Sequence, residues 1–135
     1  MQLVGQITVT IAVLITLIGP TAVDWNNSHV FNPQWPPHAR FHAIVYLCMT
    51  IGFSLIALWL IWRPSSEHVV DMLVAALVPI IAWGSFFIAV RVSGAVAEDD
   101  PGSLPRRMGL PVNLFNAGIF TLLSLFGFLL YYLGS

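Results

Sequence analysis

Side chains that could transfer a proton are concentrated in one polar segment, residues 24–42, which lies between two long apolar stretches. Within this segment His38 and His42 are four residues apart, a spacing that places them on one face of a helix. A histidine gains and loses a proton near neutral pH, and a carboxylate such as that of Asp24 can orient it. The pattern favours general acid–base catalysis. The candidate catalytic residues are Asp24, His29, His38 and His42.

The candidate substrate-binding residues are polar or aromatic, and we expect them at the same end of the molecule. Arginine can hold a carboxylate, a phosphate or an oxyanion, and aromatic rings can line a site for an apolar or cationic ligand. An alternative for the tryptophans is an aromatic belt at the level of lipid headgroups. The predicted binding set is Trp25, Asn26, Asn32, Trp35, Arg40, Tyr46, Arg91, Asn113 and Asn116.

A metal or redox site on the same segment is an alternative. Imidazole and carboxylate groups suit zinc or iron, and such a site would use Asp24, His29, His38 and His42. The His38–His42 spacing is that of zincins, but the intervening residues lack the glutamate that serves those enzymes as a base. The positive charge of Arg40 also disfavours a cation here. We therefore predict no metal cofactor. Nucleophilic catalysis by Ser28 is also less favoured, because no nucleophile-elbow motif surrounds it.

The composition predicts an integral membrane protein. The chain has 135 residues, of which 58% are hydrophobic and 8% charged, whereas soluble domains have about 25% charged residues. The net charge of -1 excludes nucleic acid as an expected partner. Four segments have the roughly 20 apolar residues that a bilayer core requires. We predict an all-α, four-helix bundle forming one domain, 1–135, with spans at about 3–23, 41–62, 69–92 and 110–133.

The distribution of arginine predicts the orientation of this bundle. An even number of spans places the 24–40 and 93–109 connections on the same side of the membrane. That side carries Arg40, Arg91, Arg106 and Arg107, whereas the other side carries only Arg63. By the positive-inside rule, the 24–40 and 93–109 connections are expected to be cytoplasmic. The short turn on the other side, which contains Arg63, Glu67, His68 and Asp71, is expected to be solvated.

The prolines of the polar segment predict a stiff cap over the bundle. Residues before proline favour extended geometry, and Pro36-Pro37 is suited to open the second helix. From that start a polar ridge continues along the helix at four-residue intervals. Because lipid tolerates polar groups poorly, we expect this ridge to face the bundle interior. Its members are His38, His42, Tyr46, Thr50 and Ser54.

The polar segment resembles the signature of an uncharacterised family of small, four-span membrane proteins of bacteria and fungi. The shared pattern is D-W-N, a histidine, then N-P-x-W-P-P-H-A-R-F-H, which in this chain runs from Asp24 to His42. The resemblance implies a four-span fold but no activity. A vaguer likeness of architecture extends to sterol isomerases and the sigma-2 receptor group, although the acidic residues within the spans of those proteins are missing here.

These observations favour an enzyme that acts on a lipophilic small molecule by histidine and aspartate acid–base chemistry. Isomerisation, cyclisation, hydration and acyl transfer all fit. The first alternative is a non-catalytic accessory subunit or lipid-binding protein whose cap docks another membrane protein. The expected partners are the bilayer and the lipophile, with a homo-oligomer or a partner membrane subunit as further possibilities. The glycines at 52, 84, 118 and 127 would permit close helix contacts within or between chains.

Overall fold

Four α-helices form the bundle in the computed structural model, which describes residues 1–98 and 100–135. They are α1 (Gln2–Asp24), α2 (Pro37–Trp62), α3 (His68–Ala89) and α4 (Val112–Tyr132). A short hairpin made of two antiparallel strands of two residues each, β1 (Arg106–Arg107) and β2 (Leu110–Pro111), precedes α4. Met108 and Gly109 join its strands with φ angles of 49° and 81°, the left-handed pair that a tight hairpin turn requires. The predicted all-α class is confirmed. Asp99 of the acidic run after α3 lies outside the described residues.

Each of the four helices is long and apolar enough to cross a membrane. At a rise of 1.5 Å per residue even α4 is about 30 Å long, the thickness of a bilayer core. The helices therefore fit a multipass integral membrane protein. Their bounds differ from the predicted spans mainly at α2, which begins at Pro37 and not near residue 41. Proline is suited to the first turn of a helix because the backbone N–H groups there have no partner within the helix, so the N–H that proline lacks is not missed.

Small residues bring α1 and α4 close together. A Cβ atom added at Gly127 would lie 2.9 Å from both the Val9 side chain and the Val9 backbone nitrogen. One added at Gly5 would meet the backbone of Gly127 and Tyr131. The expectation of a close contact at Gly127 is confirmed. By contrast, Gly52 and Gly84 would meet nothing within 4 Å.

The hydrophobic core occupies the half of the bundle nearest the chain termini. α1 and α3 contact each other and both remaining helices, so they form the central pair. Apolar side chains from the start of α1, the end of α2, the start of α3 and the end of α4 pack together there. This core consists of Val9, Val13, Ala57, Ile61, Met72, Ala75, Ala76 and Tyr131. The half of the bundle beneath the cap contains the cavity described below.

An ion pair between Arg63 and the buried carboxylate of Asp71 joins the end of α2 to the start of α3. Asp71 is only 5% exposed. Arg63 donates to it from Nε at 3.0 Å and from Nη2 at 2.7 Å. The expectation of a solvated turn was therefore wrong for Asp71. The hydrogen bonds to Asp71 raise the pKa of the Arg63 guanidinium above its usual value, and the guanidinium also stacks 4.6 Å from the centre of the Trp59 ring. The pair secures the short connection to the bundle.

The polar ridge of α2 faces the interior only along its deeper part. Thr50 and Ser54 are buried, whereas His38, His42 and Tyr46 are exposed. Positions four apart drift by about 40° around a helix at each step. The ridge therefore turns from the outer surface near the cap to the bundle interior at Ser54, and the prediction was wrong for its two histidines.

Candidate functional site

A cavity of about 860 Å³ lies beneath the cap, between the ends of α1 and α3 and the start of α4. Ile15, Trp83 and Phe120 line its deeper part, one from each of these helices. Polar side chains line the part nearest the cap. Such a volume falls within the roughly 300–1,000 Å³ of small-molecule sites, and an apolar pocket with a few polar groups is typical of them. The polar lining residues are Asp24, Ser28, His29, Tyr46, Ser85, Glu98, Ser103, Asn113 and Asn116.

The side chains of His29 and Asp24 lie close together at the cap side of this cavity. Asp24 is the last residue of α1, and the chain turns back over it because the amides of Asn26 and Val30 both donate to its carbonyl oxygen. This turn places His29 Nε2 3.8 Å from Asp24 Oδ1. The ring of His29 also meets Trp35 edge to face, with the ring centres 6.0 Å apart. Both members of the pair are half-buried, so they remain accessible to a ligand.

The other nitrogen of His29 belongs to a short hydrogen-bonded chain. His29 Nδ1 lies 2.9 Å from the Ser28 hydroxyl oxygen, which donates to Asn26 Oδ1 at 2.6 Å. Because the hydroxyl has a single proton and gives it to Asn26, Nδ1 is the donor to Ser28 in this arrangement. The neutral imidazole then carries its free lone pair on Nε2, the nitrogen that faces Asp24. That nitrogen is therefore the one able to accept a proton.

The cap is held by its own hydrogen bonds. The side chain of Asn26 donates to the carbonyl of Val23, and its oxygen accepts from the amide of Ser28. Arg40 donates from Nη2 to the carbonyl of Asn32 at 2.9 Å, which ties the cap to the first turn of α2. Val30 is fully buried beneath it. These bonds position His29. They also mean that Asn26, Asn32 and Arg40 are hydrogen-bonded to the cap itself.

The connection between α3 and α4 forms the opposite wall. Glu98 forms an ion pair with Arg106 and accepts a bond from the amide of Leu104. Asn113, one residue inside α4, donates to the carbonyl of Ala97 at 2.7 Å. These contacts hold Ala97, Glu98 and Leu104 against the bundle, where they line the cavity.

The structure brings six of the predicted site residues into the cavity lining: Asp24, His29, Trp35, Tyr46, Asn113 and Asn116. The other predicted residues lie elsewhere. Trp25 is exposed and stacks edge to face on Phe31 at 5.5 Å. Arg91 is exposed just beyond the end of α3. His38 and His42 pair with each other, Nε2 to Nε2 at 3.0 Å; His42 lines a second groove, described below.

Ser28, Trp83 and Glu98 are among the lining residues that were absent from the predicted set. The adjacency of Ser28 to His29 was visible, but its contact with Nδ1 depends on the turn of the cap. Trp83 carried a usable signal, because tryptophan in the middle of a membrane span departs from its preference for the interfaces. Glu98 carried none beyond its place in an acidic run, since its orientation depends on the pairing with Arg106.

The metal alternative finds no support in this arrangement. Within residues 1–98 and 100–135, no group of three histidine, cysteine, aspartate or glutamate side chains is placed to hold a metal ion. Instead, the four candidate ligands divide into two pairs, Asp24 with His29 and His38 with His42.

The fold and the cavity together define a small α-helical bundle whose helices fit a multipass integral membrane protein. Residues 7–122 match the model of a protein family described as a family of unknown function, DUF6640. The chain belongs to this family, and the resemblance seen in the polar segment is confirmed. No curated protein and no solved structure matches the chain. Its function therefore has to be argued from the cavity.

Proposed function

We propose that the protein binds an amphipathic lipophile in the cavity beneath the cap and transfers a proton on it with His29 and Asp24. The observation that carries this proposal is the placement of the His29–Asp24 pair above an apolar floor in one cavity. An apolar floor favours a lipophilic body. Polar groups nearest the cap favour a polar head, which Asn116 and Tyr46 are placed to contact.

His29 acts as the general base in this proposal. Its Nδ1–H is held by Ser28, so the lone pair on Nε2 is free to take a proton from the ligand. The imidazolium that results is stabilised by the carboxylate of Asp24 at 3.8 Å. The same nitrogen can return the proton at another atom of the ligand. Isomerases, cyclases and hydratases all use such a step.

Deuterium uptake tests the proposal even though the substrate is unidentified. The protein is purified in mild detergent, its co-purifying lipophile is identified by mass spectrometry, and the complex is incubated in heavy water. We expect the wild type to introduce deuterium at a carbon position of the lipophile. His29→Ala should retain the lipophile and lose this exchange.

His38→Ala is the matched control, because it removes the same residue type outside the cavity lining. Equal exchange in the wild type and His29→Ala would refute proton transfer by His29. Purification with no lipophile but with a second polypeptide would also overturn the proposal, and it would favour the accessory-subunit alternative.

The cavity is further proposed to open toward the cytoplasm, since both connections that border it carry most of the arginine. A cysteine at Gln34 or Ser103, introduced in a Cys48→Ser background, should react with an impermeant maleimide only when the cytoplasmic face is exposed. A cysteine at Ser66 should show the opposite pattern. Labelling of Gln34 from outside intact cells would reverse this orientation.

A further inference from the structure

A second, apolar groove runs along the outside of the bundle between α2 and α3. Its volume is about 640 Å³. Met49 and Phe53 of α2 and Leu77 and Ile81 of α3 line it, and all four are exposed. On each helix the lining residues recur at intervals of three and four, so the groove follows one face of α2 and the facing side of α3.

The groove adjoins the cavity beneath the cap. Tyr46 and Ser85 line both of them. Both residues lie near the capped end of the bundle, because α2 begins and α3 ends there. These two residues therefore form the boundary between the polar part of the cavity and the apolar groove on the outside of the bundle.

The length of the groove corresponds to one leaflet of a membrane. From His42 to Phe53 the α2 lining spans eleven helical steps, or about 16 Å at 1.5 Å per residue. That is about half of the roughly 30 Å bilayer core. Its far end, at Phe53 and Val74, therefore lies near the bilayer midplane, and its near end lies at the level of the cap.

From this shared boundary we infer that the ligand is a single-chain amphiphile that passes between Tyr46 and Ser85, with its polar head in the cavity and its apolar tail in the α2–α3 groove. The inference rests on the proposed function for the head and adds the class of the tail. The length of the groove fits one hydrocarbon chain from the membrane leaflet that adjoins the cap. The ligand reaches the His29–Asp24 pair by moving sideways out of the bilayer, so it does not have to pass through water.

Photolabelling tests this inference. The protein is reconstituted in phosphatidylcholine vesicles containing a trace of hexadecanol with a photoreactive diazirine in mid-chain, and the labelled residues are located by mass spectrometry. We expect labels on residues 42–53 and 74–85. Unlabelled hexadecanol should compete for them more strongly than octanol, because the longer chain fills the groove.

Two variants narrow the interpretation. Ala82→Trp places a bulky ring in the groove and should abolish this labelling, whereas Leu73→Trp, on an exposed part of α3 outside the lining, should preserve it. If Ala82→Trp fails to fold, Met49→Trp serves instead, because Met49 is exposed and a larger side chain has room there.

The outcomes separate the groove from the proposed function. Labels spread evenly over the outer faces of all four helices would mean that bulk lipid fills the groove, and crosslinks between two chains through it would mean that a second copy does; either result overturns the inference. Groove labelling with competition, combined with deuterium exchange unaffected by His29→Ala, would uphold the tail site and refute the proposed proton transfer.

Discussion

The indole N–H of Trp83 donates a hydrogen bond of 2.8 Å to the hydroxyl of Thr16, inside the bundle and at the apolar end of the cavity. Thr16 in turn donates to the carbonyl of Ala12 in the preceding turn of α1. The bond joins the two central helices. It also sets the position of the Trp83 ring, which packs edge to face on Phe120 with ring centres 5.0 Å apart. The floor of the cavity thus depends on a single polar contact between α1 and α3.

Replacing Thr16 by valine should destabilise the protein by about 1–3 kcal/mol, because the buried Trp83 donor loses its partner. Thermal unfolding in detergent measures this loss. Thr8→Val is the control, since the Thr8 hydroxyl bonds only within its own helix. In the Trp83→Phe background, Thr16→Val should cost less. An equal cost in both backgrounds would mean that the bond does not couple the helices.

Substitution of Gly127 by alanine should lower stability by about 1–3 kcal/mol, because its added methyl group would overlap Val9 at the α1–α4 contact. Gly52→Ala is the matched control. A Cβ atom added at Gly52 would meet nothing within 4 Å, and alanine stabilises a helix by about 0.5–1 kcal/mol relative to glycine. Unfolding temperatures that fall equally in both variants would contradict the close α1–α4 packing.

Loss of one member of the Arg63–Asp71 pair should be more damaging than loss of both. Arg63→Leu leaves the buried Asp71 carboxylate without its partner, whereas the double variant Arg63→Leu/Asp71→Leu removes both charges. We expect the single variant to unfold at the lower temperature. If the double variant unfolded at the lower temperature, the two charges would not depend on each other in the way a buried pair does.

Removal of the Arg40 guanidinium should loosen the cap. Arg40→Met loses the bond to the carbonyl of Asn32, so amide hydrogen exchange across residues 25–36 should accelerate while α2 stays protected. Arg91→Met removes an exposed arginine outside the cap and should leave this exchange unchanged. Unaltered exchange combined with lost ligand would instead place Arg40 on the ligand, the role that its residue type and position in the polar segment suggest.

The proposed proton transfer predicts how two substitutions beside His29 change the deuterium exchange. Asp24→Asn should lower the exchange rate, because the imidazolium formed during the transfer loses the carboxylate that stabilises it. Ser28→Ala should lower the rate without weakening ligand retention, since it releases Nδ1. An exchange rate that does not change in Asp24→Asn would exclude this role for Asp24.

The local structure of this protein could be predicted from sequence because its causes are local. Four long apolar segments require helices in a bilayer, since backbone groups in lipid must bond within their own segment. Pro36-Pro37 opens α2 because the N–H groups in the first turn of a helix have no partner within the helix. The polar residues of 25–36 likewise had to lie outside the apolar spans. The four-helix fold, the cap and the general location of the site all follow from these patterns.

Only the tertiary structure decided which polar side chains meet. The i to i+4 spacing indicated His38 and His42, and they do pair, but the rotation of α2 places them outside the cavity lining. His29 reaches Asp24 because the chain reverses direction after α1, and Glu98 faces the same cavity because its segment folds back on α4. Helical periodicity determines which residues share a face. The turns between helices and the packing of their backbones determine what that face contacts, and those depend on residues far apart in the chain.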